Sequence, residues 1–190
     1  MRWDVERELS KRHGLPRLSV FETLYRTDTW LDIERGIGDS AVWKAEAHAA
    51  LETRAGRALP GLHDEWRSAQ RPIEANLALV ERLRPPYKVS VLSNADGELR
   101  SRLANALRID HLFDDIVCSA EVGMAKPDAA IFRLAAERLG VAPAECVFVD
   151  DWDQNIAAAR SIGMTAVLFQ LDKGHDLAAL LAAAGVRPRA

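Results

Sequence analysis

The amino-acid sequence predicts an α/β protein with a three-layer parallel sheet and a separate all-helical subdomain. Residues 1–71 carry apolar side chains at helical spacing and contain no run typical of a strand. From residue 72 onward, short β-branched runs alternate with amphipathic segments. Strands that alternate with helices are typical of a parallel sheet covered on both faces. We therefore expect two units, a helical subdomain over residues 1–71 and an α/β core over residues 72–190.

The first segment is predicted to be helical throughout. The spacing predicts helices at residues 3–12, 18–25, 29–35 and 39–53. In the last of these, Asp39 or Ser40 is expected to cap the helix, and Val42, Ala45, Ala49 and Ala50 would share one face. Pro60-Gly61 and Arg71-Pro72 mark the end of the segment.

The second segment is predicted to alternate between helices and strands. Helices are expected at residues 72–83, 97–107, 128–139, 153–162 and 175–184, and strands at residues 89–92, 116–118, 146–149 and 166–169. Consecutive strands usually lie side by side. The first strand should therefore pair with the second, and the third with the fourth.

Composition excludes several classes of protein. The chain has 190 residues, of which 48% are hydrophobic, and its 25 basic and 28 acidic residues give a net charge of −3. Such a balance does not favour a nucleic-acid partner, and the apolar stretches are too short for a membrane span. The N-terminus lacks the apolar block of a secretory signal, and two cysteines form no disulfide framework. We expect a soluble cytoplasmic protein with neither a nucleic-acid nor a membrane partner.

Polar side chains follow three of the predicted strands, and we call these residues the rim. Ser93 and Asn94 end the first strand, Lys126 follows the second, and Asp150 and Asp151 end the third. Ligands of open parallel sheets gather at the carboxyl ends of the strands. Carboxylates suit a divalent cation, while a hydroxyl and an ammonium group bind phosphate oxygens. Each residue alone has a structural explanation as a turn or helix cap, but together they predict a functional site.

The sequence around the rim resembles the haloacid dehalogenase-like (HAD-like) hydrolases. VSVLSNAD, GMAKPDAAIF and VFVDDWDQNIAAARSIGMTAVLF are similar to the second, third and fourth motifs of that superfamily. The resemblance implies a Rossmann-like core with a helical cap. It also implies a Mg²⁺-dependent phosphatase that acts on a small phosphorylated metabolite.

The resemblance also implies roles for individual residues. Ser93 would bind the transferring phosphoryl group, with Asn94 beside it, and Lys126 would offset the charge of nucleophile and phosphate. Asp151 would be the direct Mg²⁺ ligand, with Asp150 in the same acidic cluster. Ser93 and Lys126 are thus the expected catalytic residues.

The sequence departs from the superfamily in its first motif, a strand that ends in DxD and supplies the attacking aspartate. The only similar text, Asp4-Val5-Glu6, follows three residues, too few for a buried strand. We therefore expect the chain to begin after this motif and to lack the central strand. It should bind Mg²⁺ weakly or not at all, hydrolyse no phosphate ester, and associate with itself through unpaired strand edges.

The sequence leaves some other functional classes open and argues against others. The alternative to a hydrolase is a non-catalytic HAD-like protein that keeps the rim for binding or assembly. The choice between phosphatase and dehalogenase stays open, as does the substrate. A GxGxxA pattern at residues 36–41 follows no predicted strand, which argues against a dinucleotide site. The five histidines lack zinc-site spacing.

Overall fold

The computed structural model describes residues 3–189, and its first part is a bundle of helices that we call the helical lobe. The lobe comprises α1 (Trp3–His13), α2 (Ser19–Tyr25), α3 (Asp28–Ile33), α4 (Ser40–Ala55) and α5 (Leu62–Ala69). The sequence predicted α1–α4 but missed α5. Asp39 caps α4 as expected, since its carboxylate accepts a hydrogen bond from the backbone N–H of Ala41 at 2.7 Å.

Buried tryptophans form the centre of the helical lobe. Trp30, Trp43 and Trp66 have exposed fractions of 6%, 1% and 3%. The Trp43 indole N–H donates to the backbone oxygen of Leu24 at 2.8 Å, which joins α4 to α2. A buried indole needs such a partner because its N–H would otherwise lose a hydrogen bond to water.

The predicted inner face of α4 is wrong. The residues that the helix buries are Trp43, Ala47 and Leu51, whereas Val42, Ala45, Ala49 and Ala50 are exposed. The true face follows an i, i+4, i+8 spacing set by Trp43, the largest apolar side chain of the helix.

The second part, which we call the sheet lobe, alternates between helices and strands. It comprises α6 (Glu74–Leu83), β1 (Ser90–Ser93), α7 (Leu99–Ser101), a π-helix (Arg102–Leu107), β2 (Asp115–Cys118), α8 (Ser119–Val122), α9 (Ala129–Leu139), β3 (Val147–Asp150), α10 (Asp153–Ser161), β4 (Thr165–Leu168) and α11 (Leu177–Ala183). The predicted segments differ from these by one or two residues at their ends, apart from the short α8. In residues 3–189 no helix has the length and apolar character needed to cross a membrane.

The strands form two separate parallel pairs. β1 pairs with β2, with Ser90 opposite Asp115, and β3 pairs with β4, with Val147 opposite Thr165. Both predicted pairings are confirmed. β1 and β3 are not hydrogen-bonded to each other, so each has one edge without a partner strand.

Helices cover both pairs of strands and hold them in one three-layer unit, as predicted. On one face, side chains of α6 and α11 pack with Val89, Val147 and Val149. On the other, Ile131 and Phe132 of α9 lie in an apolar cluster that also includes side chains of all four strands. β1 and β3 are nonetheless only partly buried along their whole length, because one edge of each is open.

Candidate active site

A cavity of about 1170 Å³ lies between the two lobes, at the carboxyl ends of the strands. The sheet lobe contributes all five rim residues to its wall, so the structure brings the sequence-predicted site together. The helical lobe contributes Tyr25, Trp30, Glu34, His63, Trp66 and Arg67, among others. The site therefore has one charged wall from the strand ends and one wall from the helices that mixes aromatic and charged side chains.

Lys126 and Asp150 form an ion pair at the centre of the rim. The Lys126 Nζ atom lies 2.6 Å from Asp150 Oδ2 and donates a second hydrogen bond to the backbone oxygen of Leu92 at 3.1 Å. The two charged side chains are only 10% and 8% exposed. Since Leu92 belongs to β1 and Asp150 to β3, the ammonium group bridges the two strand pairs.

The two adjacent aspartates at the end of β3 lie in different surroundings. Asp150 Oδ1 accepts hydrogen bonds from the backbone N–H of Trp152 and the side-chain amide of Asn155, both at 2.9 Å. These bonds orient its carboxylate at the start of α10. Asp151 lies beside it on the cavity wall, and its backbone oxygen accepts from the Gln170 amide at 3.4 Å.

The aspartates fit a divalent cation incompletely. Mg²⁺ prefers oxygen ligands, and it usually keeps several waters and takes one or two carboxylates, which Asp150 and Asp151 offer. No group of three or more His, Cys, Asp or Glu side chains that could hold a metal occurs within residues 3–189. Asp150 also shares one oxygen with the Lys126 ammonium group. We therefore expect weak affinity.

Asn94 holds the loop that carries Lys126. Its side-chain amide donates to the backbone oxygen of Lys126 at 2.9 Å and to Glu34 Oε2 at 3.1 Å, and its Oδ1 accepts from the Lys126 N–H at 2.8 Å. Because the amide has two hydrogens and both are used, its side chain organises the site from the cavity wall. The Ser93 hydroxyl makes only a long contact of 3.5 Å to the backbone oxygen of Asn94, which leaves it available to a ligand.

Sequence reasoning missed Glu34, which the helical lobe brings to the rim. Glu34 is 5% exposed, and burial raises the pKa of its carboxyl above the usual value, opposed mainly by the Arg35 guanidinium. No motif marks it, because 60 positions separate it from Asn94 in the sequence. Asn155 was missed as well, although it lies within the DDWDQN text of the third strand end.

A buried charge cluster joins the lobes beside the rim. Asp96 is 2% exposed and forms ion pairs with Arg67 of α5 and with Arg102, the latter at 3.4 Å. Nearby, burial raises the pKa of Tyr25 to about 12, and the positive charge of Arg67 partly offsets that rise. The lobes also meet at Gly36, where an added Cβ atom would clash with the backbone oxygen of Ala120.

These features define a class of protein: a three-layer α/β fold with a parallel sheet, in which a helical lobe closes over charged residues at the carboxyl ends of the strands. The family model of the haloacid dehalogenase-like hydrolases matches residues 28–163. The chain belongs to this family, as its motifs predicted.

Individual relatives support the family assignment. The chain is 43% identical over 72 residues to glyceraldehyde 3-phosphate phosphatase of Methanopyrus kandleri, covering 37% of this chain and 31% of the relative. It is 30% identical over 111 residues to (S)-2-haloacid dehalogenase 4A of Burkholderia cepacia, covering 56% and 48%. The chain thus spans less than half the length of these curated relatives.

Solved structures show the same fold. A HAD family enzyme of Bacteroides thetaiotaomicron, in complex with magnesium and inorganic phosphate, superimposes with a TM-score of 0.64 and 21% sequence identity. The superposition covers 94% of this chain and 88% of that enzyme.

Proposed function

We propose that the chain belongs to a Mg²⁺-dependent phosphatase that acts on a small phosphorylated metabolite. The observation that carries this proposal is that the Lys126–Asp150 pair and Ser93 line the wall of the same large cavity. An ammonium group and a hydroxyl are suitable partners for phosphate oxygens. We further propose that residues 1–71 act as the cap of the core formed by residues 72–190.

Each rim residue has a distinct task in this proposal. Ser93 donates a hydrogen bond to the phosphoryl group, and Lys126 offsets the negative charge that accumulates on it. Asn94 holds the Lys126 loop through its side chain. Asp151 would bind Mg²⁺ directly, with Asp150 beside it, and the ion would neutralise phosphate charge.

The described rim does not supply an attacking group. Hydrolysis in this mode needs a carboxylate nucleophile, and the two rim carboxylates, Asp150 and Asp151, are assigned to the metal. We therefore expect the 190-residue chain to bind phosphate but to hydrolyse an aryl phosphate no faster than background.

Two further functions compete with this proposal. One relative is a haloacid dehalogenase, but halide displacement needs no metal, whereas the adjacent Asp150 and Asp151 suit one. The second is a non-catalytic role in binding or assembly, which the unpaired edges of β1 and β3 favour.

Titration with inorganic phosphate, followed by calorimetry with and without Mg²⁺, tests the proposal. We expect millimolar affinity that is lost in Lys126→Ala and reduced in Ser93→Ala. Lys173→Ala is the matched control, since Lys173 is exposed in a turn outside the cavity. If the wild-type chain binds no phosphate in either condition, the phosphatase proposal is wrong and the assembly role becomes the better one. Turnover of an aryl phosphate that depends on Lys126 would instead contradict the missing nucleophile.

A further inference from the structure

A continuous chain of hydrogen bonds runs from the helical lobe to the centre of the rim. Glu34 accepts from the Asn94 amide at 3.1 Å, and Asn94 exchanges two hydrogen bonds with the Lys126 backbone, at 2.9 and 2.8 Å. The Lys126 ammonium group then reaches Asp150 at 2.6 Å. Four residues from both lobes are therefore connected without a gap.

Glu34 is itself firmly held. Arg35 donates to its Oε1 atom at 3.2 Å, and Trp30 is a further hydrogen-bond donor to the carboxyl. Two positions later, Gly36 lies so close to Ala120 of the sheet lobe that a side chain would not fit. The segment that carries Glu34 is thus in fixed contact with the sheet lobe.

The Lys126 backbone already sets the orientation of the Asn94 amide. If the amide were inverted, its NH₂ group would face the Lys126 N–H and its oxygen would face the Lys126 backbone oxygen. Glu34 adds an anchor from the opposite lobe. A buried carboxylate that accepts such a bond resists displacement, since breaking the bond leaves polar groups unpaired. Movement of the helical lobe would therefore move Asn94 and, with it, the loop that bears Lys126.

We propose that Glu34 is a positioning residue that fixes Lys126 through Asn94, so that the ammonium group is held between β1 and β3 only while the helical lobe is closed on the sheet lobe. This inference deepens the proposed function, in which Lys126 binds the phosphate. Its test does not depend on phosphate or on turnover.

The test observes the side-chain ammonium groups of the five lysines by ¹⁵N NMR of the labelled chain. A buried ammonium group in an ion pair exchanges its hydrogens slowly, so Lys126 should give a protected signal, assigned by its loss in Lys126→Arg. Glu34→Asp keeps the charge but is too short to reach Asn94. Glu34→Gln loses the charge but keeps an oxygen at the right distance.

We expect Glu34→Asp to raise the rate of hydrogen exchange at the Lys126 ammonium group at least about tenfold. A tenfold change corresponds to the loss of roughly 1.4 kcal/mol of stabilisation, about the contribution of one hydrogen bond. Glu34→Gln should keep the signal. The matched control is Glu46→Asp, the same change in the same lobe, where the exposed carboxylate accepts from the Thr29 hydroxyl at 2.7 Å; it should also keep the signal.

Two outcomes would overturn the proposal: no protected Lys126 signal in the wild type, or an unchanged signal in Glu34→Asp. In the second case, a signal lost in Glu34→Gln would mean that the charge of Glu34, not its reach, matters. If Glu34→Asp does not fold, Glu34→Ala removes the same acceptor and leaves the direct bonds between Asn94 and the Lys126 backbone in place, and it should cause the same loss. An absence of phosphate binding in the wild type would contradict the proposed function and leave this result standing.

Discussion

Removing Arg67 should destabilise the chain far more than removing an exposed arginine. Arg67 belongs to α5 of the helical lobe and pairs with Asp96, whose side chain is 2% exposed. In Arg67→Met the side chain keeps its length and apolar stem, so little packing volume is lost. The carboxylate of Asp96, however, loses its partner from the opposite lobe while remaining buried.

The structure sets the expected size of the effect. Breaking a buried ion pair by removing one partner costs about 3–5 kcal/mol, because an uncompensated charge remains inside the protein. Asp96 keeps Arg102 at 3.4 Å and the Glu98 N–H at 3.2 Å, so we expect the lower end, about 3 kcal/mol. Arg12→Met is the control. Arg12 pairs with Glu8 and Glu65 but is 54% exposed, and such surface pairs contribute at most about 1 kcal/mol.

Urea unfolding followed by tryptophan fluorescence measures both variants. The single variant Asp96→Asn and the double variant Arg67→Met/Asp96→Asn complete a cycle. The double variant should recover part of the loss, since the buried charge is gone, and we expect a coupling energy of about 2 kcal/mol. A cost for Arg67→Met no greater than that for Arg12→Met would refute the reasoning. It would mean that water solvates Asp96 once Arg67 is absent.

Three further outcomes are expected. The pKa of Tyr25 is about 12 in the fold and about 10 in the unfolded chain, so stability should be intact below pH 10 and fall by about 2–3 kcal/mol as the pH rises to 12. In pH-dependent urea melts, Tyr25→Phe should remove this loss of stability. The control Tyr87→Phe, at a residue that is 37% exposed, should leave the loss unchanged. Gly36→Ala should lower the melting temperature more than Gly56→Ala, since both glycines have positive φ but only Gly36 meets the backbone of Ala120; equal shifts would contradict the close contact. The open edges of β1 and β3 should cause concentration-dependent association in sedimentation experiments, and a monomer at all concentrations would contradict this.

Much of the sheet lobe could be predicted because its signals are local. A short β-branched run between helical segments indicates a strand, and consecutive parallel strands usually pair, which gave both observed pairings. The rim followed from the same logic, since residues after parallel strands meet at one edge. Local sequence and one rule of topology were sufficient there.

The helical lobe was harder to predict because its packing depends on contacts that the sequence does not display. α5 is short, and Gly61 provides it with no side-chain cap, so neither length nor a cap signal marked it. In α4, alanines lie on several faces, and the buried face is decided by Trp43 and its bond to Leu24. Glu34 was missed for a related reason: its role exists only once the two lobes meet.

The Lys126–Asp150 pair has a consequence for how phosphate and Mg²⁺ would bind together. The ammonium group lies 2.6 Å from Asp150 Oδ2, so a phosphate must compete with that carboxylate. If phosphate draws the ammonium group away, Asp150 regains an oxygen beside Asp151 that can bind a cation. Each ligand then favours the other, and thermodynamic linkage requires the effect to be reciprocal.

We therefore expect phosphate to bind more tightly when Mg²⁺ is present, by about 5-fold or more, the lower end of ordinary coupling between sites. Calorimetric titration of phosphate at several fixed Mg²⁺ concentrations measures the effect, and the reverse titration must return the same factor. In Lys126→Met, Asp150 is released in advance, so Mg²⁺ should bind more tightly than in the wild type and no longer respond to phosphate. Phosphate affinity that is independent of Mg²⁺ in the wild type would show that the ion pair persists in the bound state, and Lys126 would then hold Asp150 in place instead of binding phosphate.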